Sequence, residues 1–244
     1  MTRIFYASKL IGVAALGAAQ LLALSGCDET GSAAEAAPMA DVPNLDGVVQ
    51  LAFAGKGELE LRQLPAGEGA PSLQVISDEA DEIEITREGD ALHIRVPGSV
   101  DEAPRFVLSL PALEVLDLSG AAKVNAGNWQ VSELRIEASG ATKLVFANIT
   151  GDLLRVESSG ASDFSLAGNV REHRLDVSGA ASYDASGLQA REVQVDASGA
   201  TRVQVHASEH LRLVGAGAGS IEYAGNPEVD QDTSGMFRVK HVGS

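Results

Sequence analysis

Residues 134–183 read LRIEASGATKLVFANITGDLLRVESSGASDFSLAGNVREHRLDVSGAASY, and this stretch decides the fold. Three copies of Ser-Gly-Ala punctuate it, at Ser139-Gly140-Ala141, Ser159-Gly160-Ala161 and Ser178-Gly179-Ala180. Two more stand outside it, at Ser119-Gly120-Ala121 and Ser198-Gly199-Ala200, so the five glycines are 20, 20, 19 and 20 residues apart. A degenerate sixth copy, Ala216-Gly217-Ala218, follows 18 residues later. A fixed period near 20 signals a repeat in which no single unit can bury its own apolar face, so neighbours must stack.

Alignment on the glycine shows what the unit is. Four positions before it stand Leu116, Ile136, Val156, Leu175, Val195 and Leu213. Four positions after it stand Val124, Leu144, Phe164, Tyr183, Val203 and Ile221. Around these anchors apolar and polar residues alternate, as in Leu134-Arg135-Ile136-Glu137. Period two means strand, so each unit predicts strand, corner, strand and turn. A leucine-rich repeat has a similar period, but its asparagine ladder and helical half are missing. The expected fold is all-β: a right-handed parallel β-helix, or solenoid, with coils of ~20 residues stacked at roughly 4.8 Å. Six coils would rise on the order of 30 Å. At each corner Gly120, Gly140, Gly160, Gly179 and Gly199 supply a positive φ and a missing Cβ. The alanine is expected to fill a tight inner corner, and the serine hydroxyls to bond one another or the backbone.

Composition agrees with strands and excludes several functions. The 244 residues carry 34 acids against 18 Lys and Arg, a net charge of −16, with only 4% aromatics. Such a chain repels phosphate backbones and offers few rings for base stacking, which excludes nucleic acid as a partner. The single cysteine, Cys27, cannot close an internal disulfide or build a thiolate metal site.

That cysteine has another use. Arg3 and Lys9 precede an apolar run, Leu10 to Leu24, interrupted only by Gln20. A basic start, a run of this length and small residues after it describe a secretory signal peptide. The run ends Leu24-Ser25-Gly26-Cys27, which resembles the bacterial lipobox, a resemblance that implies cleavage before Cys27 and its acylation. The expected partner is then the lipid bilayer, because several acyl chains, at ~0.8 kcal/mol per buried methylene, hold almost irreversibly. Removing residues 1–26 leaves 16 cations against 34 acids, a net −18. Residues 27–43 are small, acidic and proline-containing, and read as a flexible tether. Residues 44–244 form the remaining domain: an irregular β part over 44–112, the Ser-Gly-Ala copies over 113–225, and an end segment over 226–244.

The iterated unit, apolar-x-apolar-x-x-Ser-Gly-Ala-Ser/Thr/Ala-x-apolar, closely resembles the bacterial head GIN family, also called autotransporter adhesin head domains. The preceding segment matches too, through Leu59-Glu60-Leu61-Arg62, Leu73-Gln74-Val75, Ile83-Glu84-Ile85, Leu92-His93-Ile94 and Val107-Leu108-Ser109-Leu110-Pro111-Ala112-Leu113. The resemblance covers roughly residues 45–244. It implies a right-handed parallel β-helix with an irregular β-rich N-terminal part, and it names no activity.

Each motif with chemical potential has a plainer structural reading. A nucleophilic serine would be singular, whereas five serines share one column. His206 and His210 have i, i+4 spacing, but on a strand they point differently and no zincin glutamate accompanies them. His173 shares a column with Leu134, Leu154, Val193 and Leu211, which predicts packing. Residues 215–220, Gly-Ala-Gly-Ala-Gly-Ser, lack the helix or Gly-Lys-Ser/Thr ending of a phosphate loop. One candidate binding face stands out: Asp117, Glu137, Glu157, Asp176 and Asp196, three positions before each glycine, beside Arg135, Arg155, Arg174 and Arg212. Catalytic acids need unlike environments in a cleft, and these repeat in like ones, so neither enzyme nor cofactor is expected. The expectation is an exported envelope lipoprotein, facing periplasm or cell surface, with a non-enzymatic binding, adhesin-like or scaffolding role toward an envelope protein or glycan. The competing readings are a polysaccharide-active enzyme and an envelope signalling module.

Overall fold

The alternation read on either side of each corner glycine recurs in the computed structural model, which describes residues 42–65 and 67–243. These residues lie in one compact unit, while residues 1–41, on which the expected signal peptide, Cys27 and most of the expected tether fall, lie outside the described residues. The domain is all-β. Its strands are β1 (Gln50–Gln63), β2 (Ser72–Ile76), β3 (Glu84–Glu88), β4 (Ala91–Arg95), β5 (Arg105–Leu110), β6 (Val115–Gly199), β7 (Arg202–Gly217), β8 (Ser220–Ala224), β9 (Glu228–Gly235) and β10 (Arg238–His241). The one helical element among the described residues is a 3₁₀ turn at Ala80–Glu82. No described helix is long and apolar enough to cross a membrane.

All ten strands join one sheet, whose main path runs β10-β8-β7-β6-β1-β4-β3. Pairing is parallel except where β2 meets β5 and β3 meets β4, both in the N-terminal part. The extended run β6 is 85 residues long and contains all five Ser-Gly corners. β1 pairs with its start, Gly55 beside Gly120, and β7 pairs with its end, Gly199 beside Gly217. β9 continues the same register, with Gly217 beside Gly235. The column of corner glycines therefore begins at Gly55 and runs to Gly235, further in both directions than the tripeptide shows. The full tripeptide is lost at both ends (Ala54-Gly55-Lys56, Ser234-Gly235-Met236), so a search for Ser-Gly-Ala passes over them.

Backbone geometry explains why glycine persists. Gly160 has φ of 109°, and a Cβ built there would lie 2.6 Å from the carbonyl oxygen of Gly140. Gly179 stands in the same relation to Gly160, again at 2.6 Å, so each corner seats directly on the one before. No side chain fits.

Both anchor columns are buried throughout, from Leu116 to Leu213 and from Val124 to Ile221. Each fully buried Val, Leu or Phe contributes about 1.5–3 kcal/mol, so the stack supplies the stability that no single copy has. The corner alanines correct the expectation: Ala121, Ala141, Ala161, Ala180 and Ala200 are exposed. The inner corner is filled by the next residue, Ala122, Thr142, Ser162, Ala181 or Thr201. The strand on each side keeps its inward residues at even offsets from the glycine, so an odd-offset alanine faces out.

Candidate functional site

The outward residues of each corner form two strips, one on either side of the glycine column. The acidic strip holds the sequence candidates. Asp117, Asp176 and Asp196 are exposed, whereas Glu137 and Glu157 are half-buried. Arginines two residues upstream on the same strand share the same face, because strand side chains repeat with period two. Arg155 Nε donates to Glu157 Oε1 at 2.7 Å. Arg135 Nε lies 2.7 Å from Glu137 Oε1, an ion pair lacking a linear hydrogen bond, and its NH2 group reaches Glu157 Oε1 of the next copy at 3.3 Å. The hydrogen bond from Arg155 holds the Glu157 carboxyl below its usual range. Asp176 is pushed the other way, by burial first and then by the charges of Asp196 and Glu157. The strip is thus a lattice of lateral ion pairs at Glu137 and Glu157, with three carboxylates, Asp117, Asp176 and Asp196, outside any ion pair among the described residues.

These exposed pairs are worth only ~0–1 kcal/mol each. The triple variant Glu137→Gln, Glu157→Gln, Asp176→Asn is therefore expected to melt within a few degrees of wild type. Loss of cooperative unfolding would show that the strip holds the fold.

The second strip was not singled out in the sequence, although its signal was there. Downstream of each glycine the exposed alanines make a floor, and the residue three positions after it makes a wall: Lys123, Lys143, Asp163, Ser182 and Arg202. Together they line a groove of about 930 Å³ that continues past Ala218 to Met236 and Arg238. Lys123 pairs with Glu58 at 2.9 Å and Lys143 with Asp163 at 3.3 Å. Arg202 and Arg238 take part in no ion pair among the described residues. The Thr142 and Thr201 side chains fill the inner corner behind this floor, 3% exposed each, and their hydroxyls find no hydrogen-bond partner among the described residues.

The remaining sequence candidates are structural. Ser119 Oγ donates to the Phe53 carbonyl at 3.3 Å and Ser178 Oγ to the Ser158 carbonyl at 3.4 Å, so these corner hydroxyls tie one copy to the backbone of the preceding one. His173 is fully buried, its Nε2 2.7 Å from the Tyr183 hydroxyl and its ring stacked on that phenol. Burial lowers His173 to a pKa of about 4 and raises Tyr183 well above its usual value. His210 sits 3.7 Å from Glu228, and no three potential metal ligands converge among the described residues. In the run 215–220 a Cβ on Gly215 or Gly219 would meet the Phe237 ring at 2.8 or 2.6 Å, so these glycines make room for an aromatic side chain.

Comparisons with known proteins agree with this architecture. The family model described as "Putative auto-transporter adhesin, head GIN domain" matches residues 50–227. A crystal structure from Bacteroides fragilis, described as a putative adhesin, superposes with a TM-score of 0.72 at 21% identity, covering 80% of this chain and 93% of that one. One from Parabacteroides merdae, also described as a putative adhesin, gives 0.63 at 21% identity, with 80% and 92% covered. One from Parabacteroides distasonis, described as a putative lipid binding protein, gives 0.61 at 20% identity, with 80% and 92% covered. No functionally curated protein matches. The family match spans well over half of the chain, from β1 to the loop after β8, and on that match the chain belongs to the head GIN domain family.

Proposed function

We propose that the chain is a lipid-anchored protein of the bacterial envelope whose domain is a right-handed parallel β-helix that binds a surface component without catalysis, as an adhesin-like or scaffolding module. The observation that carries this reading is the repetition of outward residues. An acidic side chain recurs three positions before each corner glycine from Asp117 to Asp196, although its surroundings differ from copy to copy, and such recurrence suits an extended contact better than a single reacting centre. Membership of the adhesin head family supports the same role. The glycine column and its parallel register support the β-helix. The lipobox-like Leu24-Ser25-Gly26-Cys27 supports the anchor, and residues 27–43 then tether the domain to the bilayer.

Two measurements test this. Mass spectrometry of the mature N-terminus is expected to find acylated Cys27 as the first residue; an unmodified chain starting elsewhere, or one retaining residues 1–26, would remove the anchor. Incubation with isolated envelope fractions and a polysaccharide panel is expected to give retention on an envelope component and no depolymerised product. Turnover abolished by one substitution would overturn the non-enzyme reading.

A further inference from the structure

Resting on that binding role, we propose that the contact surface is the alanine-floored groove and that its ligand is an extended anionic polysaccharide. Charge points to the sign of the ligand. The chain as a whole is −16, yet the groove lining holds Lys123, Lys143, Arg202 and Arg238 against Asp163, and with Glu58 reaching Lys123 from beside the lining the two arginines are left unbalanced. Lys56 extends the floor beyond Ala121. A cationic strip on an acidic molecule concentrates the local field and selects anions while the rest of the surface repels them. The two arginines without ion pairs lie two strand spacings apart, through Arg202–Ser220–Arg238, or roughly 10 Å. From Lys123 to Arg238 the wall rises by six such spacings, roughly 29 Å, which fits a linear chain lying along the stack.

The floor points to the class of polymer. A row of exposed alanine methyls offers a shallow apolar track, suited to the C–H faces of sugar rings. A peptide strand gains its main affinity from free backbone donors and acceptors at a sheet edge. The groove lies on the sheet face, where the pairs Arg202–Ser220 and Arg238–Ser220 already occupy the backbone. Nucleic acid lacks the aromatic platforms it needs here.

The test measures binding of the purified protein, in mild detergent, to immobilised polygalacturonate, to neutral dextran and to phosphatidylglycerol vesicles at low and physiological salt. Polygalacturonate is expected to bind, dextran not to, and affinity to fall with salt as screening sets in. Arg202→Gln with Arg238→Gln, and separately Ala161→Glu on the floor, are expected to weaken binding at least tenfold with an unchanged melting temperature. The acidic-strip triple variant is expected to bind as well as wild type or better. No binding to polygalacturonate, equal binding to dextran, binding to vesicles alone, or loss in the acidic-strip variant instead of the groove variants would each overturn the groove assignment. Retention on envelope fractions by the same groove variants would overturn it too, while leaving the broader binding role intact.

Discussion

Gly160→Val is expected to destabilise the domain by roughly 2–5 kcal/mol, combining a forbidden positive φ with a backbone clash that neighbours cannot relieve. In a domain of this size that lowers the melting temperature by roughly 5–15 °C. The clash is with the Gly140 carbonyl, held in place by its own stacking on Gly120, so the strain has nowhere to go. Gly127 is the matched control: a Cβ there meets nothing within 4 Å, and Gly127→Ala is expected to be nearly silent. Gly217 is a sharper comparison. The degenerate sequence around it suggests a tolerant terminal corner, but Gly217 has φ of 109° and lies between Gly199 and Gly235. Gly217→Val is therefore expected to cost about as much as Gly160→Val. Unchanged thermal melting of Gly160→Val would contradict the stacked-corner account.

The buried His173–Tyr183 pair gives the second large effect. The unfolded imidazole titrates near 6.5 and the folded one near 4, because burial penalises the charged form. The unfolded chain therefore binds a proton that the folded domain refuses, over the window from about pH 6.5 to about pH 4. Stability is fully present above that window and falls by about 3 kcal/mol across it as pH drops. Carboxylates titrate in the lower half of the same range, so the difference between variants isolates the imidazole. Replacing both partners, His173→Leu with Tyr183→Phe, removes the protonation site without orphaning a hydroxyl. Urea unfolding at pH 7 and pH 4 is expected to show a smaller acid loss for the double variant than for wild type. Parallel losses would show that His173 does not carry the effect.

The repeat made the architecture legible. Period-two alternation on both sides of each glycine placed Leu116 to Leu213 and Val124 to Ile221 inside, and the structure buries them all. Two things were less visible. Gly55 lacks both the Ser and the Ala of the tripeptide and Gly235 lacks the Ala, because the backbone clash selects glycine while the flanking positions are at least partly open to solvent, where other residues fit. The groove is hard to read from the sequence for a related reason. An alanine after a corner glycine fits an inner filler as well as an outer floor, and only its outward placement sets it beside the basic residues two positions beyond. The acidic column is the plainer signal, although arginines on the same face pair with only two of its five carboxylates, Glu137 and Glu157. The pairing of His173 with Tyr183 is hidden because the two lie on opposite sides of the Gly179 corner within β6, and no period in the sequence joins them.

The central claim is that successive Ser-Gly-Ala corners are superposed at one strand spacing each, forming a single straight column. Spin-label distances on the exposed corner alanines test it directly, in a chain carrying Cys27→Ser. Labelled cysteines at Ala121 and Ala200 are expected to lie about 19 Å apart between backbones, and those at Ala121 and Ala218 about 24 Å, one 4.8 Å spacing per copy. Distances that fail to grow by a constant step from one copy to the next would contradict the stacked corners and every surface built on them.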